Sequence, residues 1–433
     1  MNHDSENNTR RSFLKKASAA AAVTPILGVP AIVNAQNMGS KTLKVGLIGC
    51  GGRGTGAAVQ ALSADENIQL WAMGDAFSKQ IESSLRQLKK FGKRSEVAAE
   101  RQFSGLNAFQ QVIDSGVDVV LLAAPPGFRP QHLRAAVEAK KHTFAEKPMA
   151  VDMAGVKSVL ESTALAKKNN VAIQHGFCWR YAPSTRAAYG KILNGDFGRV
   201  TSIYGTYMSS VYKPIPKDAV KPKGMGDVEW QVSWWTNYEW LSGAPILEQS
   251  IHTVDKIAWG MGDVAPIAAV GTGGRIQRDD PSNVYDHYNV SFEYPNGVFC
   301  QLGARQFSRS HTEVIDRIFC EDGSVVGPGQ PRAIDGNGKT TWRYRPEAGA
   351  EQNMYQVCHN EFFADLRAGK INNSGEYMAN STALAILGRE AAHTGKRITW
   401  DKLFKSDEDM APDSLKFEDS FAIAPVPVPG KKS

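Results

Sequence analysis

From residue 41 to about 176 the apolar positions come in short runs, each followed by a longer amphipathic stretch. Residues 45–48, 68–73, 117–124, 142–145 and 171–174 read as strands. A stretch beginning at Ala57 and those at 78–92, 131–139 and 151–168 read as the helices between them. The run 117–124 is apolar almost throughout, as a strand covered on both faces of a parallel sheet must be. Strict strand–helix alternation predicts a doubly wound α/β domain that gathers its ligands at the carboxyl ends of its strands. Beyond Tyr181 the pattern changes. A helix at 184–193 leads into a strand at 200–207, then a Lys-, Pro-, Gly- and Trp-rich insertion at 209–237. Strands follow at 267–271, 287–294, 297–306, 314–321 and 342–344, then helices at 353–369 and 381–394. Tyr294-Pro295-Asn296-Gly297 is a turn signal joining two of these strands as an antiparallel hairpin. The alternating prolines at 425–429 cannot join a central strand, so the tail is expected to lie extended across a surface, of this subunit or a neighbour.

The first strand ends in Gly49-Cys50-Gly51-Gly52-Arg53-Gly54, just before a helix. At this spacing Gly49 permits a tight turn, Gly51 the close approach of a pyrophosphate, and Gly54 close helix–strand packing. The helix start offers free N–H groups and a positive dipole end to the phosphates. Cys50, Gly52 and Arg53 belong to the same loop and are taken as cofactor contacts with the glycines. The next strand closes at Asp75, about twenty residues past Gly54, where such a fold places its ribose-binding carboxylate. A carboxylate there accepts both ribose hydroxyls and repels a 2′-phosphate, which favours NAD. NADP is the alternative, since Lys79 stands close enough to soften the repulsion.

Thr9-Arg10-Arg11-Ser12-Phe13-Leu14-Lys15-Lys16 precedes an apolar stretch at 17–33 and a small-residue site ending at Ala35. This reads as a cleaved signal of the twin-arginine type at 1–35, with export to the periplasm and no stable membrane insertion afterwards. The 433-residue chain is long enough for two domains: a dinucleotide-binding domain at 36–176, a substrate and oligomerisation domain at 177–400, and an extended tail at 401–433. The formal charge of +6 becomes smaller once the leader's four cations and two carboxylates are removed, and no basic run exists. Nucleic acid is therefore not expected as a partner. Cys50, Cys178, Cys300, Cys320 and Cys358 are too scattered for a disulfide framework or a metal site, although Cys300 and Cys320 sit in strand-like runs that could be neighbours.

The glycine turn with its Asp75, Ala124-Pro125-Pro126 with His132 downstream, and Glu146-Lys147-Pro148 together resemble the Gfo/Idh/MocA oxidoreductases. The likeness continues through Gln174–Tyr181 and Ser242–Asp255, and covers nearly all of the chain after the leader. The resemblance implies a second, α+β domain with a large open, mainly antiparallel sheet, one face toward the cofactor domain and the other used for association as a homo-oligomer, dimer or tetramer. It implies cofactor contacts at Pro125, His132, Glu146, Lys147 and Trp235, and substrate contacts at Arg180, Tyr181, Trp234 and His252. Lys147 and His252 become the catalytic candidates, with Glu248 standing where the family has Asp. The chemistry agrees: removing a hydroxyl proton suits an imidazole, and a nearby ammonium stabilises the developing alkoxide.

Other readings remain open at this point. Glu248, His252 and Lys256, four residues apart, also fit a solvated ion-pair face of a helix. Arg180 and Tyr181 could simply cap a strand, and the tryptophans could pack on one another. A core or interface role suits His287, Arg305 and His311 better than pocket lining. The resemblance implies oxidation of a CH–OH group on a sugar, polyol or glycoside. Export would separate the protein from the cytoplasmic pool, so the cofactor is expected to stay bound and be recycled in the site. The alternatives are a glycosidase or lyase using transient oxidation, and a non-catalytic sugar-binding protein.

Overall fold

The computed structural model describes residues 41–431. The expected twin-arginine leader lies outside the described residues. The first sheet holds β1 (Leu43–Ile48), β2 (Ile68–Asp75), β3 (Gln102–Ser104), β4 (Val119–Leu122), β5 (His142–Ala145) and β6 (Ile173–His175). Its order is β3-β2-β1-β4-β5-β6 and every neighbouring pair is parallel. This is the doubly wound order that the alternation predicts. Val119 and Leu121 of β4 belong to one core cluster while Val120 and Leu122 belong to the other. That two-sided burial explains the uninterrupted apolar run.

One face is covered by the helices Gly52–Ala64 and Met354–Arg367, the latter contributing Cys358, Phe362, Phe363 and Leu366 to the core beneath β1. Sequence order assigns 353–369 to the second domain; its apolar face instead completes the first. The helices Ala108–Asp114, Arg129–Glu138 and Met153–Asn169 cover the other face. Asp152 caps the last of these by accepting Gly155 N at 2.8 Å, worth about 1 kcal/mol.

The second sheet contains β7 (Val200–Ser209), β8 (Ala268–Gly274), β9 (His287–Tyr294), β10 (Val298–Gln306), β11 (Glu313–Cys320), β12 (Gly323–Gly327), β13 (Arg332–Ile334), β14 (Thr340–Arg343) and β15 (Ile398–Thr399). Their order is β14-β13-β12-β11-β7-β10-β9-β8-β15. Only β7 and β10 run parallel; all other neighbouring pairs are antiparallel. Helices Ile251–Gly260 and Gly375–Thr394 cover one face. The first lies so close that a Cβ at Gly205 would fall 2.4 Å from Thr253 Cγ2. Burying Ile203, Val290, Phe292, Leu302 and Ile318 under these helices contributes about 1.5–3 kcal/mol each.

Several sequence expectations are corrected. Cys300 and Cys320 lie on β10 and β11 with β7 between them, and all five cysteines are buried free thiols. Glu248, His252 and Lys256 form no solvated face. The chain breaks at Gln249 between the short helix Pro245–Glu248 and Ile251–Gly260. Lys256 is fully buried and pairs with Asp316 of β11 at 2.7 Å, its ammonium 4.9 Å from the Trp179 ring. The tail lies on its own chain: Tyr285 OH donates to the carbonyl of Pro427 at 2.8 Å.

Candidate functional site

The carboxyl ends of β1, β2, β4 and β5 open into a single cleft of about 580 Å³, which the second domain walls from the opposite side. At one end stands the glycine turn. Gly49 has φ +93°, and a Cβ there would meet Ala124 N at 2.4 Å; a Cβ on Gly54 would meet Gly49 O at 1.8 Å. These two glycines serve the packing of strand, turn and helix. Gly51 and Gly52 differ, since a Cβ on either would meet nothing within 4 Å. They leave space open at the start of the helix Gly52–Ala64, which no side chain caps. An open cradle beside uncapped N–H groups fits a diphosphate. Asp75 lines the same end; its Oδ2 accepts Cys50 N at 2.7 Å and its Oδ1 accepts Phe77 N at 2.9 Å. Burial raises the Asp75 carboxyl, and the two backbone donors with Lys79 oppose that rise. The residues present fit a dinucleotide.

Cys50 does not line the cleft. Its side chain is buried against Gly74 O and its N–H is committed to Asp75, so it shapes the turn and leaves ligand contact to its neighbours. Arg53 lines the wall, pairs with buried Glu146 at 3.0 Å and lies over the Tyr355 ring at 4.8 Å. Pro125 and His132 line the middle of the cleft. His132 stacks on Phe109 at 4.2 Å, and burial together with Arg129 pushes its imidazole down to about 3. It is a neutral ring.

Lys147, Glu248 and His252 line the same cleft, with Glu248 and His252 both within electrostatic reach of the Lys147 ammonium. Lys147 Nζ donates to the backbone carbonyl of Glu248. Burial raises the Glu248 carboxyl, against the pull of Lys147 and Lys213. Burial, Lys147 and Lys256 together hold His252 well below its ordinary value, so the imidazole is neutral. Its Nδ1 is buried without a hydrogen-bond partner among the described residues. Glu248 therefore does not orient the imidazole through Nδ1, and the chain break at Gln249 puts the two on different helices.

Arg180 and Tyr181 stand outside the cleft. Arg180 is clamped by Asp255 at 3.0 Å and Asp263 at 2.5 Å and stacks on Tyr377 at 3.8 Å. Tyr181 sits in the core, its hydroxyl accepting from Gln174 Nε2 at 2.5 Å. Neither side chain lines the cleft, and neither caps a strand: both lie in the short turn of helix Cys178–Tyr181. His287, Arg305 and His311 also lie away from the cleft; His287 pairs with Asp286 at 2.9 Å and Arg305 donates to His311 O at 2.8 Å. The tryptophans divide: Trp240 packs edge-on against Phe128 and Phe421, while Trp234 and Trp235 face the cleft.

Sequence reasoning missed Arg129. It is buried, and its guanidinium donates to the carbonyls of Ala124 and Pro148, tying the ends of β4 and β5 together behind Lys147. It also missed Phe77, Tyr207, Lys213 and Tyr355 on the cleft wall. No periodic signal marks these residues; each arrives through a loop or from a distant element.

The chain matches the Gfo/Idh/MocA oxidoreductase family, NAD-binding Rossmann fold, over residues 43–177, and the Gfo/Idh/MocA C-terminal domain over residues 185–326. It is 25% identical over 221 residues to a myo-inositol 2-dehydrogenase of Thermotoga maritima, a stretch covering 51% of this chain and 55% of that protein. The chain thus spans about half the length of the curated relatives it matches first. In fold it is similar to a levoglucosan dehydrogenase in complex with NADH and levoglucosan, with TM-score 0.65, 17% identity, and 82% and 99% of the two chains covered. It is also similar to an aldose–aldose oxidoreductase of Caulobacter crescentus complexed with glycerol, with TM-score 0.64, 18% identity, and 83% and 100% covered. With the glycine cradle, Asp75 and the Glu146-Lys147-Pro148 corner all opening on one cleft, and both halves matched, the chain belongs to the Gfo/Idh/MocA oxidoreductase family.

Proposed function

We propose that this protein is an NAD(P)-dependent oxidoreductase acting on a CH–OH group of a sugar, polyol or glycoside. The observation that carries the reading is the meeting of Lys147, Glu248 and His252 in the same cleft as the open glycine cradle and Asp75. A nicotinamide dinucleotide in this cleft supplies the hydride acceptor. The chain supplies the rest. Lys147, anchored by one proton to the Glu248 carbonyl, keeps two protons for the substrate oxygen and stabilises alkoxide character there. His252, held neutral, is in the form that accepts the hydroxyl proton. Trp234 and Trp235 offer ring faces to the apolar side of a sugar. With two backbone donors already on its oxygens, Asp75 keeps lone pairs for ribose hydroxyls, which supports NAD over NADP.

The sequence at 1–35 reads as a twin-arginine leader, and on that reading the folded protein is exported with its cofactor already inside and recycles hydride within one site. Denaturing the purified protein should release NAD in amounts approaching one per chain. An empty protein that turns over only with added NAD contradicts recycling. A chromogenic glycoside separates the second reading: release of free sugar with no net redox product would assign transient oxidation followed by elimination. The open face of the second sheet supports a homo-oligomer.

A further inference from the structure

Past the short helix Trp400–Phe404 the chain turns back across the end of the cleft that holds Asp75. Leu415, Phe417, Asp419 and Phe421 are half-buried while Lys416, Glu418 and Ser420 are exposed, so alternate side chains lie against the protein through a turn in which Asp419 N donates to Lys416 O at 3.1 Å. On one side the segment is sewn to the Rossmann domain. Ala154 N donates to Glu408 O at 3.1 Å and Met410 N to Asp152 Oδ2 at 2.9 Å. Phe417 stacks on Phe77 at 5.5 Å with the rings 11° apart. On the other side it is sewn to the helix Asp227–Ser233 of the insertion. Asp227 N donates to Asp419 O at 2.9 Å, and Gln231 Nε2 to Phe421 O at 2.8 Å. Asp227 Oδ2 accepts Ser420 Oγ at 2.9 Å and Phe421 N at 3.1 Å. The approach is so close that a Cβ at Gly226 would fall 1.9 Å from Phe417 O.

Both attachment points lead straight into the cleft wall. Phe77 stands two residues past Asp75 and lines the cleft, and the helix Asp227–Ser233 runs directly into Trp234 and Trp235. Phe77, Leu106, Trp234, Trp235, Leu415 and Phe421 belong to one apolar cluster. The segment therefore spans from one wall to the other, without itself lining the cleft, and ties the insertion down over the cofactor domain.

We infer that residues 406–421 are a clasp that retains the dinucleotide, with Phe417 as a positioning residue acting through Phe77. The inference rests on the cleft being a dinucleotide site and adds how release is slowed. Loosening such a clasp shows in the dissociation rate, because a bound molecule can leave only when the two walls part. The test measures NADH release from the full chain by dilution into excess NAD, followed by nicotinamide fluorescence. Phe417→Ala removes the stack and should speed release about tenfold or more, with Phe417→Tyr staying within about twofold of the parent. Asp227→Ala loosens the same segment from the opposite wall and should also speed release. The melting temperature of each cofactor-free variant should stay near the parent's, which separates retention from general stability. Release from Phe417→Ala and Asp227→Ala at the parental rate overturns the clasp while leaving the cofactor reading intact. A parent that binds no NADH overturns both.

Discussion

Lys147 is held in place by groups that never touch a substrate. Its ammonium rests on the Glu248 carbonyl, and the backbone that follows it is fixed by the Arg129 guanidinium on Pro148 O and Ala124 O. Replacing Lys147 by Met removes the cation that stabilises an alkoxide and should lower the rate of hydride transfer by about 10²–10⁴-fold with NAD still bound. Replacing Arg129 by Met leaves two carbonyls unpaired and frees the corner. It should lower kcat more than it raises KM and also reduce the melting temperature, which steady-state kinetics and thermal unfolding check together. His252 makes a pH prediction. Burial and its two lysine neighbours keep it neutral, so the rate should show no limb near the ordinary imidazole value of about 6.5. A fall in kcat with an apparent pKa near that value, abolished in His252→Asn, contradicts the buried, neutral imidazole.

The glycine turn separates packing from binding within one element. Gly54→Ala places a methyl group against Gly49 O and should destabilise the fold. Gly51→Ala points its methyl into open space and should leave thermal stability near the parent's while weakening NAD binding at least about tenfold, as titration calorimetry would show. This element was legible in the sequence because its signals are local: a strand, a turn and a helix start within a few residues, with a carboxylate at the next strand end. The Glu146-Lys147-Pro148 corner was legible for the same reason. Elements defined by distant partners were not. The break at Gln249 places Glu248 and His252 on different helices, which regular spacing in the sequence conceals. Arg180 belongs to Asp255 and Asp263, far along the chain, and a motif resemblance could not reveal that pairing. The helix Met354–Arg367 returns to the first sheet across the whole second domain. The buried Lys256–Asp316 pair is another such tie. Removing one partner alone leaves an unpaired buried charge, so Asp316→Ala should cost about 3–5 kcal/mol in denaturant unfolding.

Across the whole molecule, burial is uneven. The helices cover one face of the second sheet, and the opposite face carries Tyr204, Val270, Phe299 and Phe319 exposed on β7, β8, β10 and β11, with Phe299 at 49% and Phe319 at 43%. This is the face on which the proposed homo-oligomer would form. For the homo-oligomer proposed above, Phe299→Glu combined with Phe319→Glu should give monomer in light scattering; a parent that is already monomeric contradicts the homo-oligomer. The interior also makes the fold acid-sensitive. His132, His359 and His393 are pushed down to about 3, chiefly by burial. Below about pH 6.5 the unfolded chain binds protons that these folded imidazoles refuse, so stability falls as pH drops, by about 2 kcal/mol per histidine at pH 5. Melting temperatures recorded from pH 7 to pH 5 should decline, less steeply in a variant with His359 replaced by Gln.

The most direct test loads the parent and Lys147→Met proteins with NAD and follows the reduced-nicotinamide absorption band after mixing with a panel of sugars and polyols. The parent should develop the band with at least one compound in a single turnover, and the variant, carrying the same cofactor, should develop it at least about a hundredfold more slowly. Equal rates in the two proteins, or no band with any hydroxyl-bearing compound, would contradict an oxidoreductase site built on Lys147.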